Sequence, residues 1–223
     1  NLKRLLAYSS VEHVGIMAIG FGLGGEAATL GALLHMTYHT FAKPVAFFSA
    51  GTLAQLHRSS DFDTIGGGTL SRTPVASGLL LLATLMVTGS PPFGLFWSEM
   101  TILKAGFFGP HVAVVAVFLA ALVVLFCGFF YQVGRLTLGP DAKAPDRPVL
   151  PERLDLALGT TVVAAIVAVV SAFYLPDPLV ALPLTREALF RAVVEAGGPE
   201  CAEGVPGTRD HLSVGSPRGE SPL

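Results

Sequence analysis

The sequence predicts an all-α, polytopic transmembrane helix bundle of about five spans, one of them discontinuous. Three observations carry this. The 223-residue chain is 52% hydrophobic and only 13% charged, with a mean hydropathy of +0.63, whereas a soluble domain is about 25% charged. The apolar residues form uninterrupted blocks, several reaching the roughly 20 residues that cross a bilayer. One block is cut by "TGSPPFG", Thr88–Gly94, where two successive prolines remove two backbone donors and exclude a regular helix.

The first span is expected over roughly Leu5–Gly24 and already holds Glu12 and His13. A short turn through Gly24, Gly25 and Glu26 leads into the second, which runs to about Leu56. A Gly- and Ser-rich polar loop follows, "HRSSDFDTIGGGTLSRTP". The third span begins near Val75, breaks at Gly89, Pro91, Pro92 and Gly94, and resumes as "LFWSEMTILKAGFF" with Glu99 and Lys104. In lipid such a break survives only where protein buries it or a cavity adjoins it. The fourth span is expected over Val112–Val133 and the fifth over Leu154–Leu175, separated by a proline-rich polar loop. The domain division is therefore a partial membrane domain over 1–176, a surface helix within 177–196, and a Gly/Pro/Ser-rich tail at 197–223 whose composition predicts disorder. Asn1 stands where a Met would, with no cleavable signal pattern before the first span, so the chain reads as the C-terminal portion of a longer one.

Charge sets the orientation. Lys3, Arg4, Arg58, Arg72, Arg135, Lys143, Arg147 and Arg153 fall on one side if five spans alternate. The positive-inside rule places that side, with the N-terminal end, in the cytoplasm and the tail outside, as in a bacterial or archaeal inner membrane. Several function classes drop out. No basic patch suits nucleic acid, and Cys127 and Cys201 form no CxxC or disulfide framework. No haem motif or nucleotide fingerprint appears, so no cofactor, no metal and no redox chemistry are expected in this chain.

The informative residues are ionisable groups where charge is costly. His35, His39 and Lys43 recur at four-residue spacing within an apolar helix. At about 100° per residue they form one stripe about 12 Å long, which suits a water-bridged relay better than a single metal centre. Two histidines at i and i+4 can bind zinc, but no third ligand stands near them in sequence. Imidazole titrates near neutral pH, and a buried lysine can load and release a proton. Pro44 directly follows Lys43 and should kink the helix there, opening backbone beside the lysine. Glu99, just past the break, is placed to accept a proton arriving from Lys43. Glu12 and His13 either extend this path or pair structurally. The alternative for the whole set is a satisfied polar cluster that helps helices associate.

These stretches resemble a known family. "LKRLLAYSSVEHVGIMAIG", "LLHMTYHTFAKPVAFFSAG" and "GSPPFGLFWSEMTILKAG" look like the antiporter-type membrane subunits of respiratory complex I. They are also similar to multi-subunit sodium/proton antiporters and to membrane subunits of energy-converting hydrogenases, with "SVEH" most like hydrogenase-4 component F. The resemblance covers about Leu2 to Leu138. It implies a fold of two inverted five-helix repeats, of which this chain holds the second in part, without the first repeat's glutamate and lysine. It also implies a hydrated mid-membrane axis carried by His35, His39 and Lys43, with the residue past the broken helix falling on Glu99. The function implied is a proton-translocating membrane subunit of a complex I-like or hydrogenase-4-like pump, assembled with other membrane subunits. A sodium/proton antiporter subunit without redox coupling, or a truncated inactive copy, are the alternatives.

Overall fold

The computed structural model describes residues 1–109, 111–140, 149–152 and 156–174. Among these, eight helices occur and no strand. Helix α1 spans Leu2–Leu23, α2 Gly25–Leu56, α3 Phe62–Ile65, α4 Thr69–Arg72, α5 Pro74–Val87, α6 Gly94–Phe107, α7 Val112–Leu138 and α8 Leu156–Tyr174. The surface helix expected in 177–196, the tail 197–223, and Lys143, Arg147 and Arg153 lie outside the described residues.

Each end has a local cause. Asn1 caps α1, its Oδ1 accepting from the Lys3 and Arg4 amides at 3.1 and 3.4 Å. Gly24 and Gly25 turn the chain into α2 at φ +67° and +75°, a region open to glycine. The second helix runs unbroken for 32 residues, about 48 Å, so it outruns a hydrocarbon core of roughly 30 Å. Pro44 therefore sits inside a continuous helix and does not end it; one missing donor leaves the neighbouring turns to hold the ladder. Pro74 opens α5 at a position where its missing N–H is no loss. The same helix end is capped from afar, because the Glu152 carboxylate accepts from the Val75 and Ala76 amides at 3.1 and 2.8 Å.

Helix α2 is the axle of the bundle, with α1, α5, α6 and α8 packed around it. Small residues allow close approach, as is usual between membrane helices. A Cβ on Gly20 would come within 2.9 Å of the Ala32 Cβ, and one on Gly31 within 2.8 Å of Ile102. Two apolar clusters result. One gathers Leu6, Leu34, Leu53, Leu80 and Leu95, the other Ile16, Ile102, Leu103, Val115 and Phe118. The outer face of α7 is apolar and open, with Val117 and Val124 about seven-tenths exposed (71% and 69%), and with α1 it is long and apolar enough to cross a membrane unaided.

At the far end of α2 a buried hydroxyl chain ties four helices. His57 Nε2 lies 3.5 Å from Thr73 Oγ1, Thr73 Oγ1 lies 3.2 Å from Ser77 Oγ, and Ser77 donates to Thr69 Oγ1 at 2.9 Å. Thr69 in turn donates to the Leu136 carbonyl at 3.2 Å. His57 follows the membrane helix as its C-cap, and burial, aided by the Arg72 guanidinium, pushes its pKa below the usual 6.5. The proton thus prefers the unfolded chain. Stability from this group is complete above about pH 6.5 and falls as the pH drops below it. The melting temperature in detergent should therefore decline between about pH 7 and pH 5, and His57→Gln should decline less.

Candidate functional site

The polar residues singled out above converge between the two apolar clusters. Along α1 the buried order is Leu6, Ser9, His13, Ile16, and along α6 it is Leu95, Ser98, Glu99, Ile102. Helix spacing of three and four places each set on the face turned to α2. Water is thereby restricted from both sides.

His13 Nδ1 lies 2.9 Å from His35 Nε2, and His35 Nδ1 lies 2.9 Å from Ser98 Oγ. Ser98 donates to the Leu95 carbonyl at 2.7 Å. That last bond sets the polarity of the rest. Because the Ser98 hydroxyl hydrogen goes to Leu95, its oxygen accepts from His35 Nδ1–H. His35 Nε2 is then the acceptor, and His13 Nδ1–H the donor. His13 Nε2 is buried with no hydrogen-bond partner at bonding distance, and the Val87 backbone is near enough to the ring to act on it. His13, His35 and Ser98 are all wholly buried (0% exposed).

His39 joins through His13, their ring centroids standing 4.6 Å apart, and its Nε2 is likewise buried without a hydrogen bond. His13 thus sits against both α2 histidines. Lys43 reaches back to α1, donating to the Leu6 carbonyl at 3.2 Å and to Ser9 Oγ at 2.5 Å. Glu12 is close enough to Lys43 and to Glu99 to act on both electrostatically. It is also the one charged residue lining a groove of about 560 Å³ between α1 and α7, among Ile16, Ile19, Val117 and Leu122.

Glu99 lies against the helix break. Gly89 sits at φ +63°, and a Cβ there would overlap the Glu99 carboxylate. The Tyr38 ring occupies the space beside Gly94 in the same way, with its hydroxyl buried and unbonded. Pro91 and Pro92 themselves are exposed. His13, His35 and Glu99 come from three helices, yet each offers a ligand atom within 4.8 Å of the others. His39 is not one of the three, so this grouping comes from tertiary contact and not from the His35/His39 spacing. Lys104 ends α6 on the surface, away from this cluster.

Two participants have no mark of their own in the sequence. Ser9 is readable only as the residue four before His13 on one helix face, and Ser98 only as the neighbour of Glu99.

The transmembrane-domain model described as NADH:quinone oxidoreductase/Mrp antiporter matches residues 1–125, more than half of the chain. The chain belongs to this family. Its fold is accordingly that of an integral membrane, antiporter-like helical protein, and the site lies wholly within the matched residues. Among its relatives is a hydrogenase-4 component F homolog of Methylacidiphilum infernorum (isolate V4), 40% identical over 107 residues, covering 48% of this chain and 22% of that protein. Subunit 5 of the chloroplast NAD(P)H-quinone oxidoreductase of Chaetosphaeridium globosum is 32% identical, covering 65% of this chain and 22% of the relative. A Na(+)/H(+) antiporter subunit of Alkalihalophilus pseudofirmus is 28% identical, covering 56% and 26%. A chain of the membrane-bound sulfane sulfur reductase, an archaeal respiratory membrane complex, superimposes with a TM-score of 0.68 at 25% identity, over 88% of this chain and 37% of that one. The chain thus spans 22–26% of the length of these curated relatives.

Proposed function

We propose that this chain is part of a proton-translocating membrane subunit of a complex I-like or hydrogenase-4-like redox-driven pump. The observation that carries the reading is the hydrogen-bonded chain from His13 through His35 to Ser98, with His13 Nε2 buried and unbonded at its end. A proton reaching His13 Nε2 makes an imidazolium, which passes its Nδ1 proton to His35 Nε2. His35 then holds two N–H groups beside Glu99, and turning of the rings resets the chain. Lys43 loads the path, His39 connects it to His13, and Glu12 sets the charge that Lys43 feels. The chain contributes the path; redox chemistry belongs to other subunits of the assembly.

In this reading α5 and α6, each of 14 residues and about 21 Å, together make one crossing. With α1, α2, α7 and α8 they give five, the second inverted repeat of the fold, with the N-terminal end cytoplasmic and the tail external. The hydrogenase-4 relative, at 40% identity, favours the redox-driven assembly. The antiporter relative, at 28%, supports the second reading, a sodium/proton exchanger subunit.

The test is Lys43→Ala in the full-length protein within its complex. Proton pumping should fall by about 10²-fold, the scale of a lost acid–base group, with assembly intact. Unchanged pumping in an assembled complex would end the relay reading. Sodium-dependent flux without a redox driver would select the exchanger.

A further inference from the structure

We propose that His13, His35 and Glu99 also form a binding site for one divalent transition-metal ion of the zinc class, and that an ion there stops proton transfer. Binding stands on geometry alone; the block rests on the relay reading above.

The donors are assembled from α1, α2 and α6, within 4.8 Å of one another and all buried. Two imidazoles and one carboxylate are a zinc ligand set that leaves a fourth position for water. Bonds of about 2.0–2.2 Å put tetrahedral ligand atoms about 3.3 Å apart. The His13–His35 pair, at 2.9 Å, is already inside that distance. The widest edge closes by about 1.5 Å relative to that spacing, which rotation about the Glu99 side-chain bonds supplies.

Orientation is also provided. Ser98 holds His35 Nδ1–H and so presents the Nε2 lone pair inward, the outer-partner arrangement that fixes a ligating histidine. A bare divalent ion in a low-dielectric interior is prohibitive; here Glu99 would bind it directly in its carboxylate form, giving up its proton where it holds one, and Glu12 stands near enough to act on the same site. Lys43 is the cation that acts against it, and it faces Glu12. The ion takes the place of the proton between His13 Nδ1 and His35 Nε2; that proton moves to His13 Nε2, so both rings ligate as neutral imidazoles. Occupied, the two nitrogens can no longer pass a proton between them.

The experiment uses the full-length protein in lipid nanodiscs, stripped of metal. Zn²⁺ is titrated for stoichiometry, and Co²⁺ is added as a visible reporter of coordination. One tight Zn²⁺ per chain and the intense bands of four-coordinate Co²⁺ are expected. Glu99→Gln and His13→Gln should each weaken binding by at least about 100-fold, and Ser98→Ala by about 10–100-fold. Undiminished binding in both ligand variants, or six-coordinate Co²⁺ in the parent protein, overturns the site. If the variants do not fold, X-ray absorption of the Zn²⁺-loaded parent decides: two imidazoles and one carboxylate oxygen support the site, and sulfur or a single imidazole refutes it. Zn²⁺ should then arrest pumping in the assembled complex. If it occupies the site and pumping continues, the site stands and the relay reading falls.

Discussion

Gly89→Ala is expected to reduce proton pumping by about 10²-fold while leaving the helices formed. Two effects act together. The backbone at Gly89 holds φ +63°, a conformation that costs an L-residue about 1–2 kcal/mol. The added Cβ would overlap the Glu99 carboxylate, which then has to move. A displacement of about 1 Å at a reacting group is worth about 10²-fold in rate. Gly78→Ala is the control, since a Cβ at that position in α5 meets nothing within 4 Å. It should be neutral or stabilising by about 0.5–1 kcal/mol. The measurement is pumping per assembled complex, with circular dichroism for helix content. Normal pumping in Gly89→Ala would mean that the carboxylate's position is irrelevant.

The break at Gly89 also shows why the site was only partly legible in the sequence. The four-residue stripe of His35, His39 and Lys43 follows from helix geometry alone, and a double proline marks the break wherever it occurs. Those signals are local. What joins them is not. His13 meets His35 across 22 positions and Ser98 meets His35 across 63, and no spacing rule reaches so far. The extents of α1, α2 and α8 lie within a few residues of the expected spans, because hydropathy and glycine turns set them. The short helices α3 and α4 inside the polar loop carry no periodic signal at four residues each. Pro44 is instructive as well. The proline follows directly from the sequence, and the helix continues past it, with other helices packed on several sides of α2.

His35 offers the sharpest separation of a structural role from a conducting one. It is wholly buried, with both ring nitrogens bonded. His35→Ala leaves the His13 Nδ1–H without an acceptor, at about 1–3 kcal/mol, and adds a cavity on the scale of about 2–3 kcal/mol. Assembly should therefore be impaired and pumping lost. His35→Gln is predicted to behave differently. Its amide oxygen can accept from His13 and its amide nitrogen can donate to Ser98, so the hydrogen bonds that join α1, α2 and α6 persist. An amide does not titrate at physiological pH. The glutamine variant should assemble like the parent and melt within about 1 kcal/mol of it, yet pump at least about 10²-fold more slowly. The reading is decided by the pair. If His35→Gln assembles and pumps at the parental rate, His35 is a structural link and protons travel by another route. If it assembles and does not pump, the imidazole itself carries the proton.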